Sequence, residues 1–142
     1  MRAGELTGRT VLDVSTATEL AKVEAVIVDG GARRLAGFRV TGASPVLPFD
    51  QVTSVGADAV TVSGPEVLHL PDTDVERHAV EAHIDPIGLR VLDDSGTEIG
   101  TVDDLELDAD TGEVHAVIVG GAEVPGSRLL GVGAYALVVE AG

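Results

Sequence analysis

The sequence predicts an all-β protein: two tandem small β-barrels joined by a connector that holds a short helix. Three observations carry that prediction. In the second half, Asp93-Asp94-Ser95-Gly96 and Asp108-Ala109-Asp110-Thr111-Gly112 separate runs rich in Val, Ile and Leu, whose apolar residues largely alternate with polar ones. Such punctuation reads as strand, turn, strand, turn, strand, a β-meander. The same unit also occurs in the first half, so the chain is an internal duplication. Finally, Val102, Leu105 and Leu107 are spaced by three and then by two, and Val23, Val26 and Val28 repeat that spacing. Keeping all three residues on one face requires one extra residue, at Asp103-Asp104 in the second copy. A bulge there bends the strand as small closed sheets require.

The elements follow in chain order. Residues 5–14 form the first strand, with Val11, Leu12 and Val14 apolar, and residues 19–29 and 33–41 form a long hairpin. Pro45 and Pro48 break the sheet, Phe49-Asp50-Gln51-Val52 is short enough for one helical turn, and 59–63 is the closing strand. Gly64-Pro65 ends repeat 1, so the domains are 1–64, a connector 65–86, and 87–142. Within the connector, Pro71-Asp72-Thr73-Asp74-Val75-Glu76 offers an Asp or Thr N-cap with acids in the first turn, where they suit the helix dipole. Val75, Ala79, Val80 and Ala82 make a narrow apolar stripe, Asp85-Pro86 stops the helix, and the helix is expected to cover a barrel mouth.

The two copies align residue by residue. Gly8, Val11, Leu12 and Asp13 fall on Gly88, Val91, Leu92 and Asp93; Val26-Ile27-Val28-Asp29 falls on Leu105-Glu106-Leu107-Asp108. Further along, Leu35 to Val40 fall on Val114 to Val119, and Pro48 falls on Pro125. Repeat 1 departs at Ser15-Thr16-Ala17-Thr18, which lacks the turn Gly, and at Gly30-Gly31-Ala32-Arg33-Arg34, which replaces the Asp-Thr-Gly turn. The ordered set of Gly, Val-Leu-Asp, a Gly turn, Ile-Gly-x-Val, an Asp-x-x-Thr-Gly turn, a Val-rich strand, a Pro and then Val-Gly resembles the PRC-barrel domain. That family includes the cytoplasmic domain of the photosynthetic reaction-centre H subunit and the C-terminal domain of a ribosome maturation factor. The resemblance implies a small barrel in each repeat and an adaptor or assembly role.

Composition narrows the function. Without Cys, disulfides, thiolate catalysis and Cys-ligated metal sites are excluded. No apolar run reaches the roughly 20 residues of a membrane span and no signal-peptide core follows Met1, so a cytoplasmic location without membrane insertion is expected. The net charge of −15 is uneven. Residues 1–64 carry seven acids and six bases, the connector six and one, and residues 87–142 eleven and two. Acidity repels a phosphate backbone, and Phe38, Phe49 and Tyr135 are too few for a base-stacking platform, so no nucleic-acid partner is expected. Each repeat has roughly sixty residues and buries only about 60% of its unfolded surface. The two copies are therefore expected to pack on each other, or the chain to form a homodimer.

Candidate sites are few. Asp108, Asp110 and Glu113 could start an oxygen-rich metal loop, but an EF-hand's third acidic position and distant bidentate Glu are missing, and a hairpin turn accounts for the same residues. His78 and His83 are five apart on the expected helix and poorly placed for one metal, and no phosphate-loop or paired-acid pattern stands out. No catalytic residue, cofactor or metal is expected, and the protein is expected not to be an enzyme. Asp103, Asp104 and Glu106 are the expected contact surface for a basic protein partner. The second reading is a small-ligand or cation-binding sensor. A third, by the resemblance alone, is a ribosome-assembly role through a basic protein.

Overall fold

The computed structural model of the protein describes residues 1–142. Repeat 1 contains β1 (Thr10–Asp13), β2 (Thr18–Asp29), β3 (Arg34–Val40), β4 (Val46–Pro48), β5 (Ser54–Val55) and β6 (Ala59–Val62). After α1 (Asp74–Glu81), repeat 2 contains β7 (Arg90–Asp93), β8 (Glu98–Leu107), β9 (Val114–Val119), β10 (Ala122–Pro125), β11 (Leu129–Val132) and β12 (Leu137–Val139). Each repeat is a six-stranded sheet with the same order, β4-β3-β2-β1-β6-β5 and β10-β9-β8-β7-β12-β11. The first and last long strands of each unit run parallel, β1 with β6 and β7 with β12.

The expected bulges are present in both copies. Register slips between Val23 and Ala25 on β2 and between Val102 and Asp104 on β8, so Glu24 and Asp103 are the extra residues. The bulge divides each long strand in two. Thr18–Lys22 pairs with β1 and Val23–Asp29 with β3, which folds the sheet over its own core. The first strand is shorter than expected: Gly8 takes a positive φ of 83° and Ala3–Glu5 forms a tight helical turn instead. The expected turn at Phe49–Gln51 is present.

Where repeat 1 lacks turn glycines, ordinary residues take the left-handed conformation. Ala17 has φ 55° and Arg33 φ 58°, against 86° at Gly96 and 76° at Gly112 in repeat 2. An L-residue pays roughly 1–2 kcal/mol for that conformation, so the tertiary fold and not local preference shapes these two turns.

Of the two expected arrangements, the packing of one repeat on the other is present. One cluster of 25 buried apolar residues runs through both repeats, from Val11, Phe38 and Leu47 to Leu105, Leu129 and Leu137. Leu35 N donates to Gly112 O at 2.7 Å and Val114 N to Arg33 O at 2.9 Å. Because Leu35 aligns with Val114 and Arg33 with Gly112, these two bonds exchange under a pseudo-twofold axis that passes between Arg34 and Glu113, which face each other as an antiparallel bridge. Gly30 abuts β11 so closely that a Cβ would sit 2.6 Å from the Gly131 Cα. No helix is long and apolar enough to cross a membrane.

Candidate functional site

The outer faces of the two sheets decide what each repeat can bind. On β2 and β3 the inward residues are Val26, Val28, Leu35 and Phe38, which leaves Ala25, Ile27, Ala36 and, on β4, Val46 pointing outward. Apart from Arg39, which pairs with both Ala25 and Val46 and lies 3.6 Å from Glu24, that face is apolar, and α1 lies across part of it: Ile27, Val46 and Ala79 form a second buried cluster, flanked by Ala36, Val75 and Val80. The expected apolar stripe is therefore used, but on the sheet's outer face and not over a barrel mouth. The reason is that the barrel interior is already filled, while Ile27 and Val46 would otherwise face water.

The helix is held at its N-terminus. Thr73 Oγ1 accepts from Glu76 N at 3.1 Å, and Glu76 Oε1 accepts from Asp72 N at 3.0 Å, a reciprocal capping arrangement. It stops at Glu81, before the expected Asp85-Pro86, where His83 turns to φ 49°. Ahead of the helix the connector adds to the sheet. Val46 N donates to His69 O at 3.1 Å and His69 N to Val46 O at 3.0 Å, which covers the open edge of β4. A cavity of about 190 Å³ remains between α1 and the end of β2, lined by Val26, Val28, Val75, His78, Ala79 and Ile84 among others.

The equivalent outer positions of repeat 2 are Asp104, Glu106, His115 and Glu123, beside the buried Ile118, and no α-helix lies across them. Asp103, the bulge residue, is exposed and accepts from Gly121 N at 3.1 Å. Asp104 and Glu106 are half-buried by the chain's own first residues. Gly4 N donates to Asp104 Oδ1 at 2.9 Å, the Met1 ammonium to Glu106 Oε1 at 3.2 Å, and Arg2 forms an ion pair with Glu106. Met1 and Leu107 also exchange backbone bonds, at 2.6 and 2.7 Å. The Met1 ammonium, with Arg2, holds the Glu106 carboxyl below the usual range despite partial burial. Asp103, Asp104 and Glu106 thus lie together, and two of the three already hold a short cationic segment.

The other predicted acids behave as a turn. Asp108 Oδ1 accepts from Asp110 N at 2.8 Å and Thr111 N at 2.9 Å, and those backbone donors, Thr111 foremost, hold its carboxyl low. Its Oδ2 lies 3.6 Å from His115 Nε2, while Asp110 is exposed and Glu113 sits on the pseudo-twofold axis. These three acids do not converge on one point. Of the two histidines singled out in the sequence, His78 lines the cavity and His83 Nδ1 lies 3.5 Å from Arg39 Nη1.

Two features escaped the sequence reading. His69, Asp72 and Glu76 bring ligand-type atoms within 4.8 Å of one another, with Glu76 buried. The Thr73-x-x-Glu76 pattern signalled the cap that gathers them. Glu123 was missed as well, and only its alignment with Val46 marks it.

Comparison with curated proteins gives no match. The family model described as PRC-barrel domain matches residues 1–69 and again 80–142. With two matched stretches that cover nearly all of it, and one fold built twice, the chain belongs to the PRC-barrel domain family.

Proposed function

We propose that this protein is a non-enzymatic assembly module that presents the acidic outer face of repeat 2 to a basic protein partner. One observation carries the reading: at aligned positions the outer face changes from Ile27, Ala36 and Val46, covered by α1, to Glu106, His115 and Glu123, of which only Glu106 is partly covered, by Met1 and Arg2, while the pair Arg39 and Ile118 runs the other way. Repeat 2 carries eleven acids against two bases, a field that attracts cationic surfaces and speeds encounter. The chain's own Arg2 and Met1 ammonium on Glu106 illustrate the chemistry that this face accepts.

The cation-sensor reading is less well supported. At Asp108 the carboxylate is committed to backbone donors. At His69, Asp72 and Glu76, the Glu76 carboxylate already serves the cap, and the positive end of the α1 dipole works against a cation there.

Affinity capture from native lysate at rising salt tests the proposal, with wild type beside an Asp103→Lys, Glu123→Lys variant. The expected result is a basic protein retained by wild type, released by salt and reduced at least tenfold in the variant. Capture that the charge reversal leaves unchanged would exclude this face as the binding surface.

A further inference from the structure

The way repeat 1 is covered indicates how repeat 2 is recognised. The connector binds repeat 1 in two steps: His69 pairs with Val46 as a one-residue strand, and α1 then crosses Ile27, Ala36 and Val46. Register makes the equivalent edge available on repeat 2. Val46 pairs with Arg39 across β3 and β4, and Glu123 pairs with Ile118 across β9 and β10, at aligned positions. The N–H and C=O of Glu123 therefore point away from β9, as those of Val46 point away from β3. No segment of the chain pairs with that side of β10, and Ala122 and Glu123 are exposed. The positions where α1 needs apolar contacts are charged or polar here, so a second helix like α1 would bury unpaired carboxylates.

Building on the proposed function, we infer that β10 and the face beside it take a basic linear segment of the partner protein. The segment adds to β10 as a short strand opposite Glu123 and lays Lys or Arg side chains toward Glu106 and Glu123. Strand addition supplies affinity through main-chain bonds that any sequence can make, and the carboxylates select a cationic one. The occupant is a partner segment and not a second copy of the connector, because the connector is itself acidic, with six acids and one base over residues 65–86.

The probe is a peptide of the Val67–Ala82 sequence with Val75→Lys, Ala79→Lys, Val80→Lys, Asp74→Ala and Glu81→Ala, which turns the covering segment of repeat 1 into a cationic counterpart for repeat 2. It is titrated into the isotope-labelled full chain at low and moderate salt while amide shifts and exchange are followed. The expected result is shifts at Ala122–Val124 and Glu106, slowed exchange at the Glu123 amide, and binding weakened at least tenfold by Glu123→Lys and by Glu123→Pro. The proline variant removes one outward N–H together with the carboxylate, so Glu123→Gln, which removes only the carboxylate, is measured beside it and proline is expected to weaken binding further; Pro125 shows that this strand accepts the residue. Binding weakened no more by Glu123→Pro than by Glu123→Gln, with the Glu123 amide still exchanging freely, overturns strand addition while leaving the acidic-face function intact. Shifts that map away from β10 and β8, or no binding at all, overturn the inference, and the capture experiment then decides the function separately. If Glu123→Pro does not fold, the exchange rate of the wild-type Glu123 amide with and without peptide separates the same two outcomes.

Discussion

The outer faces of β2–β4 and of β8–β10 share one backbone and differ in what lies on them. Where repeat 1 has Ile27, Ala36 and Val46, the chain folds its own connector back as cover; where repeat 2 has Asp104, Glu106, His115 and Glu123, only Met1–Gly4 reach Asp104 and Glu106, and the β10 side stays open. The inner faces show no such divergence, since Val26, Phe38 and Leu47 on one side and Leu105, Val117 and Val124 on the other all enter the shared core. In a duplicated fold the interior is constrained by packing, and the exterior is where the copies acquire separate roles.

Moving one residue type from repeat 2 to repeat 1 has the largest expected effect. Ile27→Glu places the Glu106 side chain type beneath α1, where Ile27 is 2% exposed. An unpaired buried charge costs about 3–5 kcal/mol, so the denaturation midpoint should fall sharply or α1 should detach, as seen in its amide exchange. Full stability with α1 in place would show that the apolar face does not hold the helix. Loosening the cover from its end is gentler: Thr73→Ala removes the bond from Glu76 N and should cost about 1 kcal/mol, with faster exchange confined to residues 74–82.

Ala17→Gly gives repeat 1 the turn residue that repeat 2 already has. Relief of the left-handed strain, less the added flexibility of Gly, should stabilise the protein by about 0.5–1 kcal/mol. A destabilisation on urea titration would mean that the φ of 55° is not strained. The reverse exchange, Glu106→Ile, removes partly exposed ion pairs with Arg2 and Met1 and should change stability by less than about 1 kcal/mol.

The smallest effect is in the acid limb. Asp13 and Asp93 occupy aligned positions, and hydrogen bonds led by the Ser15 and Ser95 hydroxyls hold their carboxyls below the usual range. A carboxyl whose folded pKa lies below its unfolded value of about 3.9 stabilises the fold above that value, and the contribution disappears as pH falls through the folded pKa. Stability should therefore decline below about pH 4, and Asp93→Asn should flatten part of that decline. A variant with an unchanged acid limb would show that Asp93 has no part in it.

Much of this was legible in the residues. The three-then-two spacing of Val102, Leu105 and Leu107, repeated by Val23, Val26 and Val28, confines an extra residue to Asp103-Asp104 and its counterpart, and the strand register then singles out Asp103 and Glu24. The apolar stripe of α1 was also visible, but its destination was not, because choosing between a barrel mouth and an outer face requires the register of β2 against β3. Ala17 and Arg33 carry no local signal for positive φ. The attachment of Met1–Gly4 to β8 joins residues about a hundred apart, through the Asp104 and Glu106 carboxylates and the Leu107 backbone, a pairing that no local pattern signals. The meaning of Glu123 lay in its alignment with Val46, a comparison that becomes informative only once Val46 is seen bonded to His69.

Amide hydrogen exchange at two residues of the free protein tests the central asymmetry most directly. The Val46 amide, bonded to His69 O, should exchange slowly and the Glu123 amide at the aligned position fast, slowing only when a basic partner is added. Equal protection of the two amides in the free protein would contradict this asymmetry: two slow amides mean that the β10 edge is already covered, and two fast ones that His69 does not hold Val46.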